Sequence, residues 1–229
     1  MNKENHKKYA LINVIVTIIF VVLFDQITKL IVIKNLALGD SKPLIKDVFE
    51  FHHIHNTGSA WGMFSGKTWA LAIVSVILSA ALCYVIYNLL HSPYYRFMRF
   101  LFACILGGAI GNMIDRFRLG YVTDFLYFKL INFPVFNVAD IFVTVPIILL
   151  VLLFIFKYRG NDFDVLLGEK LRMPDGTYVD KKELKKKLQQ GINVADSDNS
   201  VSEKVTSETE SGKSGADDMT DNAAEKEHK

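Results

Sequence analysis

Four long apolar runs, separated by shorter polar stretches, occupy the chain up to about residue 157, and polar sequence follows to the end. Each run is long enough for a membrane helix, which needs about 20 mostly apolar residues. The pattern predicts spans over 10–33, 68–90, 97–116 and 138–157. Between them lie a loop over 34–67, a short hairpin over 91–96 and a second loop over 117–137. The segment 1–9 precedes the first span, and a tail over 158–229 follows the last. Within the first loop, Phe49, Phe51, His53 and His55 alternate with Val48, Glu50, His52 and Ile54, and Asn56-Thr57-Gly58 reads as a turn. This alternation predicts a short strand, and with it a small sheet over one membrane face. The expected fold is an all-α integral membrane protein with four transmembrane helices, a small β-containing loop region and a polar tail.

Composition separates the tail from the rest. The 229 residues are 51% apolar and carry a net charge of +2, but those averages mix two unlike parts. In the tail, Asp175-Gly176 marks a turn, and Asp180-Lys181-Lys182-Glu183 resembles the start of a capped helix running to about Gln190. Residues 194–229 hold ten acids, four bases and no aromatic side chain, a composition expected to be disordered. Cys83 and Cys104 both lie in apolar runs and read as small packing residues. Lys3, Lys7 and Lys8 before the first run resemble a signal peptide, but that run is long, has no small-residue cleavage site and leads into Asp25 and Lys29; a retained helix is expected.

Four spans place both ends of the chain on one side. Lys3, Lys7, Lys8, Arg96, Arg99, Lys157, Arg159, Lys170 and Arg172 lie near that side, against Lys34, Lys42, Lys46, Lys67, Arg116, Arg118 and Lys129 on the other. The small excess, with the basic N-terminus and the charged tail, points to both termini inside. Asp25 lies about 22 Å along its helix from Ala10, in the far part of a core about 30 Å thick. Asn112, Asp115 and Arg116 close the third span on that far side, Asn137 and Asp140 open the fourth there, and Asp124 lies in the loop between. Ionisable groups set into apolar runs and gathered at one face mark a functional site.

Asp25 and Lys29 are four apart and share a helix face, so a salt bridge is expected. Asp115 points away from Arg116 and is expected to brace a loop or accept from backbone. Asn137 is an N-cap candidate, and a helix N-terminus favours a nearby anion. Asp124 and Asp140 have no local cation, which leaves them as candidates for a proton-sharing pair able to activate water. The alternative is that all these acids are structural polar contacts. His52, His53 and His55 invite a metal reading, but no other ligand-bearing motif accompanies them and no metal site is expected. No nucleophile triad, phosphate loop or nucleic-acid module is evident. A proton-coupled transporter and a chemically inert scaffold are the rival readings; the first lacks an internal repeat and polar residues on the near face.

Taken together, Asp25-Gln26-Ile27-Thr28-Lys29, Asn56 to Gly62, Gly107 to Arg116, Val122-Thr123-Asp124-Phe125 and Phe136-Asn137-Val138-Ala139-Asp140 resemble, in order and place, the motifs of bacterial lipoprotein signal peptidase, also called signal peptidase II. The resemblance spans about residues 10–157. It implies a membrane aspartyl protease without metal or other cofactor, which cuts the signal peptide of prolipoproteins before a diacylglyceryl-modified cysteine. It implies that Asp124 and Asp140 are catalytic, that Asn56, Asn112, Arg116 and Asn137 hold substrate, and that Asp25, Lys29 and Asp115 support the site. It also implies an active site at the extracytoplasmic face of the bacterial cell membrane, lipidated substrates and membrane lipids as partners, and a monomer. Ser59-Ala60-Trp61 departs from the two alanines and phenylalanine common in the family. The tail lies outside the resemblance.

Overall fold

The computed structural model describes residues 3–58, 66–158 and 160–189. Ser59-Ala60-Trp61, Arg159 and the acidic segment 194–229 lie outside the described residues. The elements in chain order are α1 (Lys3–Asn35), β1 (Ser41–Ile45), β2 (Phe49–Asn56), α2 (Thr68–Leu89), α3 (Arg96–Leu119), β3 (Val122–Tyr127), α4 (Val138–Phe156), α5 (Gly160–Leu166), β4 (Lys170–Arg172) and β5 (Tyr178–Asp180). Two single 3-10 turns, Pro93–Tyr95 and Lys129–Ile131, precede α3 and follow β3. Residues to Val179 form one unit, and those from Asp180 a second. In the second, Asp180 accepts from the backbone of Lys182 at 2.7 Å and Glu183 at 3.2 Å, capping a helix over 181–189.

Among the described residues, four helices are long and apolar enough to cross a membrane: Asn5–Asn35, Thr68–Leu89, Pro93–Leu119 and Val138–Phe156. The third is the centre of the bundle. Protein buries 61% of its most apolar stretch, against 22%, 17% and 22% for the others, whose exposed Ile, Leu, Val and Phe side chains suit lipid contact. Small residues let α3 take that place. A methyl group on Gly107 would fall 2.8 Å from Val21 Cβ of α1, and one on Gly108 would fall 2.5 Å from the Ala139 carbonyl oxygen of α4. The backbones touch because no side chain separates them.

β1, β2 and β3 form an antiparallel sheet in that order, and β2 is the strand expected from the alternation. Its partners were not legible: β1 contains Pro43, and β3 is a short run inside a loop. Gly120 supplies the left-handed residue (φ +78°) that ends α3 and turns the chain into β3. Ile54 opposes Asp124 and Asn56 opposes Val122, so Asn56 and Asp124 are diagonal neighbours. Beyond β3, Phe136 exchanges backbone hydrogen bonds with Leu126 at 2.8 and 3.0 Å. That clip lays the start of α4 beside the middle of β3.

Residues 158–180, given no elements from sequence beyond the Asp175-Gly176 turn, carry α5 and the β4–β5 hairpin. Buried Asp162 of α5 accepts from Tyr95 Oη at 2.7 Å and Tyr178 Oη at 2.6 Å. Asn88 donates to the Leu166 carbonyl at 3.1 Å. These partners are far apart in sequence, so no local pattern announces them.

Candidate active site

Asn137 is the joint of the polar cluster. Its side-chain oxygen accepts from the Asp140 backbone N–H at 3.1 Å, and its own N–H donates to Asp140 Oδ2 at 3.0 Å, a complete capping box at the head of α4. The same side chain's Nδ2 donates to Asp124 Oδ1 at 2.6 Å and to Asn112 Oδ1 at 3.0 Å. One asparagine thus holds both acids. Asn56 from β2 donates to the other Asp124 oxygen at 2.8 Å, and Asn112 from α3 to the other Asp140 oxygen at 2.8 Å. Asp124 is buried, while Asp140 is partly open to the adjoining cavity. Burial and the nearby Asp140 charge push the Asp124 carboxyl up to about 7.

Beneath the pair lies a buried charge network. Lys29 Nζ contacts Asp25 Oδ2 at 2.8 Å, Asp115 Oδ2 at 2.9 Å and Asn112 Oδ1 at 2.9 Å. Three acceptors match the three ammonium protons. The expected Asp25–Lys29 pair is present, and the lysine also reaches Asp115. Asp25 accepts in addition from the Ala139 backbone N–H at 3.0 Å, and Asp115 from Thr123 N–H at 3.2 Å. The network therefore ties α1 and α3 to the start of α4 and to β3. Gly111 makes room for it, since a methyl there would lie 2.6 Å from Asp25 Oδ2. Arg116 lies within the field of Asp140, Asp124 and Asp115, and its buried Nε has no hydrogen-bond partner among the described residues.

Asp124, Asp140, Asn56, Asn112 and Arg116 all line one cavity of about 550 Å³. Phe49, Phe128 and Phe136 wall one part, and Ile141, Thr144 and Val145 continue it along a single face of α4. All nine polar residues singled out from sequence therefore fall in one connected region. Gln26 was missed; its amide donates to Asp115 Oδ1 at 2.9 Å and to the Gly111 carbonyl at 3.2 Å. Its place beside Asp25 in an apolar run was the available signal. The aromatic wall was missed because phenylalanines in a membrane protein carry no positional signal. The histidines stand apart: His52 Nδ1 meets Ser41 Oγ at 2.8 Å, His53 Nδ1 meets the Leu36 carbonyl at 2.9 Å, and His55 stacks on Tyr121 at 3.6 Å. Among the described residues no three His, Cys, Asp or Glu side chains are grouped to hold a metal ion.

Four apolar helices around a buried knot of acids, amides and one lysine define a multi-pass membrane protein with an enclosed polar site. Two solved structures described as bacterial membrane enzymes share this architecture. One, at 2.3 Å resolution, has a TM-score of 0.55 and 35% identity, covering 61% of this chain and 85% of that one. The other, at 1.9 Å, has a TM-score of 0.55 and 34% identity, covering 64% and 94%. The family described as signal peptidase (SPase) II matches residues 17–156. The lipoprotein signal peptidase of Caldanaerobacter subterraneus subsp. tengcongensis is 45% identical over 144 residues, 62% of this chain and 96% of that protein. The lipoprotein signal peptidase of Staphylococcus aureus (strain bovine RF122 / ET3-1) is 37% identical over 149 residues, 64% and 90%. The chain belongs to the signal peptidase II family and is a peptidase.

Proposed function

We propose that this protein is an aspartyl endopeptidase that removes signal peptides from diacylglyceryl-modified prolipoproteins, cutting before the lipidated cysteine. The observation that carries the reading is the single buried asparagine, Asn137, hydrogen-bonded to both Asp124 and Asp140, two acids that line one cavity walled largely by apolar side chains. The pair carries one proton between its members, as two close carboxyls do. That proton resides mainly on Asp124, whose burial and neighbouring Asp140 charge hold its carboxyl up to about 7 against the pull of two donating side-chain amides. Asp140 has a backbone N–H and a helix N-terminus facing its charge.

In the first step Asp140 takes a proton from water as the oxygen bonds to the scissile carbonyl carbon, and Asp124 gives its proton to the carbonyl oxygen. The product is a neutral tetrahedral diol. In the second, the C–N bond breaks as Asp140 returns its proton to the leaving nitrogen and Asp124 recovers one from a diol hydroxyl. The new ends are a carboxyl on the signal peptide and an amine on the cysteine. Asn56, Asn112 and Arg116, which line the cavity, hold the peptide. Asn137, expected to do the same, is fully buried with its side-chain bonds taken and instead positions the two acids, while Asp25, Lys29 and Asp115 brace the helices that carry them. The face formed by Ile141, Thr144 and Val145 lets the acyl chains stay in the bilayer while the cut is made at its edge.

The site lies at the extracytoplasmic face of the bacterial cell membrane, with both termini cytoplasmic. Supporting this, the polar cluster sits at the end of α1 opposite Lys7 and Lys8. Protein reconstituted in liposomes is given a diacylglyceryl prolipoprotein and its unlipidated form, and products are read by mass spectrometry. Cleavage before the cysteine of the lipidated form alone supports the proposal. Ion flux without cleavage would replace it with the transporter reading.

A further inference from the structure

A second cavity, of about 420 Å³, opens between residues 10–17 of α1 and the start of α3, at the end of the bundle remote from the aspartates. Asn13, Val16 and Thr17 line it from α1, and Arg96, Arg99 and Phe100 from α3. The arginines occupy the start of α3, where the helix dipole disfavours cations, and the first turn contains no acid. Among the described residues neither forms an ion pair with a carboxylate. Arg99 is buried and fixed in place, its Nη1 donating to the Leu89 and Ser92 carbonyls at 2.7 Å each. Arginine does not shed its charge, so two uncompensated cations face the groove.

The α1 side is unusual in a complementary way. Asn13 is exposed in an otherwise apolar run, and its amide has no hydrogen-bond partner among the described residues. It lies one to two turns beyond Lys8, about 7–8 Å along the helix, at the depth where headgroup gives way to acyl chain. Thr17 donates to the Asn13 carbonyl at 2.8 Å, which leaves its oxygen free to accept. Beside them, Val16 and Phe100 are exposed apolar surface.

We infer that this groove binds one phospholipid with an anionic headgroup, its phosphodiester on Arg96 and Arg99, its ester region at Asn13 and an acyl chain along Val16 and Phe100. Cations, an amide and apolar surface within one groove match the phosphate, ester and acyl parts of such a lipid. Free phosphate would satisfy the arginines but leave the rest of the groove unused. This inference stands apart from the aspartates and from the cleavage reading.

The test uses full-length protein in a neutral detergent, with thermal unfolding followed as dioleoyl phosphatidylglycerol, dioleoyl phosphatidylcholine or inorganic phosphate is added. Phosphatidylglycerol is expected to raise the midpoint saturably, and the other two to leave it in place. Arg96→Gln, at an exposed position, is expected to raise the half-saturating concentration about five-fold, the contribution of one basic side chain at an anionic lipid surface. Lys34→Gln, at the far end of α1, should titrate like the parent. An equal response to phosphatidylcholine or to inorganic phosphate, or an unaltered titration in Arg96→Gln, overturns the inference.

Discussion

Gly108→Ala probes how closely α3 and α4 must approach for the site to work. The added methyl would lie 2.5 Å from the Ala139 carbonyl oxygen and 2.9 Å from Val143 Cγ2. Ordinary contact begins near 3.4 Å, so the start of α4 must retreat by roughly 0.5–0.9 Å. The first obstacle is backbone, which cannot rotate out of the way. Overpacking of this kind costs about 1–3 kcal/mol. The displaced residue precedes Asp140, and its own N–H is bonded to Asp25. A misplacement approaching 1 Å at a reacting group lowers turnover by about 100-fold. Single-turnover cleavage of a lipidated prolipoprotein reads the effect, with thermal unfolding in parallel. Gly160→Ala is the control, because nothing lies within 4 Å of its added methyl. Parental turnover and stability in Gly108→Ala would refute the argument that this contact sets the position of Asp140.

Other perturbations separate the parts of the site. Lys29→Met leaves Asp25 and Asp115 buried without their cation and should destabilise the protein by about 3–5 kcal/mol in chemical unfolding; a change below about 1 kcal/mol would contradict a buried network. Asp124 binds its proton more tightly folded than unfolded, up to about 7. Its contribution to stability is therefore greatest below the unfolded carboxyl value and fades as pH rises through about 7. Because the proposed acid loses its proton over the same range, kcat/KM should fall above about pH 7, and a profile flat to pH 9 would remove Asp124 from that role. Asp162→Ala strips the acceptor from Tyr95 and Tyr178 and should cost about 1–3 kcal/mol in unfolding, with the cleavage rate of the folded protein unchanged.

The four apolar helices were legible because membrane spans announce themselves by length and composition. The polar cluster was legible for a related reason: a charged group or amide inside an apolar run has few structural excuses. Asp25, Lys29, Asn112, Asp115, Asn137 and Asp140 could all be singled out that way. Asn137 could be named an N-cap candidate from its place at the head of the last apolar run. What could not be read was set by long-range pairing. Nothing near Val122–Tyr127 says that it is the third strand of a sheet begun at Ser41, or that Phe136 will clip it beside α4. Lys29 gave away its partner four residues off, but not Asp115 across the helix interface. Between Tyr158 and Asp180 only the Asp175-Gly176 turn was legible, because the order of that stretch depends on Asp162 finding Tyr95, 67 positions earlier.

The most direct test of the central claim is the rate of prolipoprotein cleavage by purified Asp124→Asn and Asp140→Asn proteins, each shown by thermal unfolding to be folded. Both replacements keep the shape of the side chain and remove its ability to carry the shared proton. The account predicts that each alone abolishes cleavage. Turnover at the parental rate in either one would contradict it.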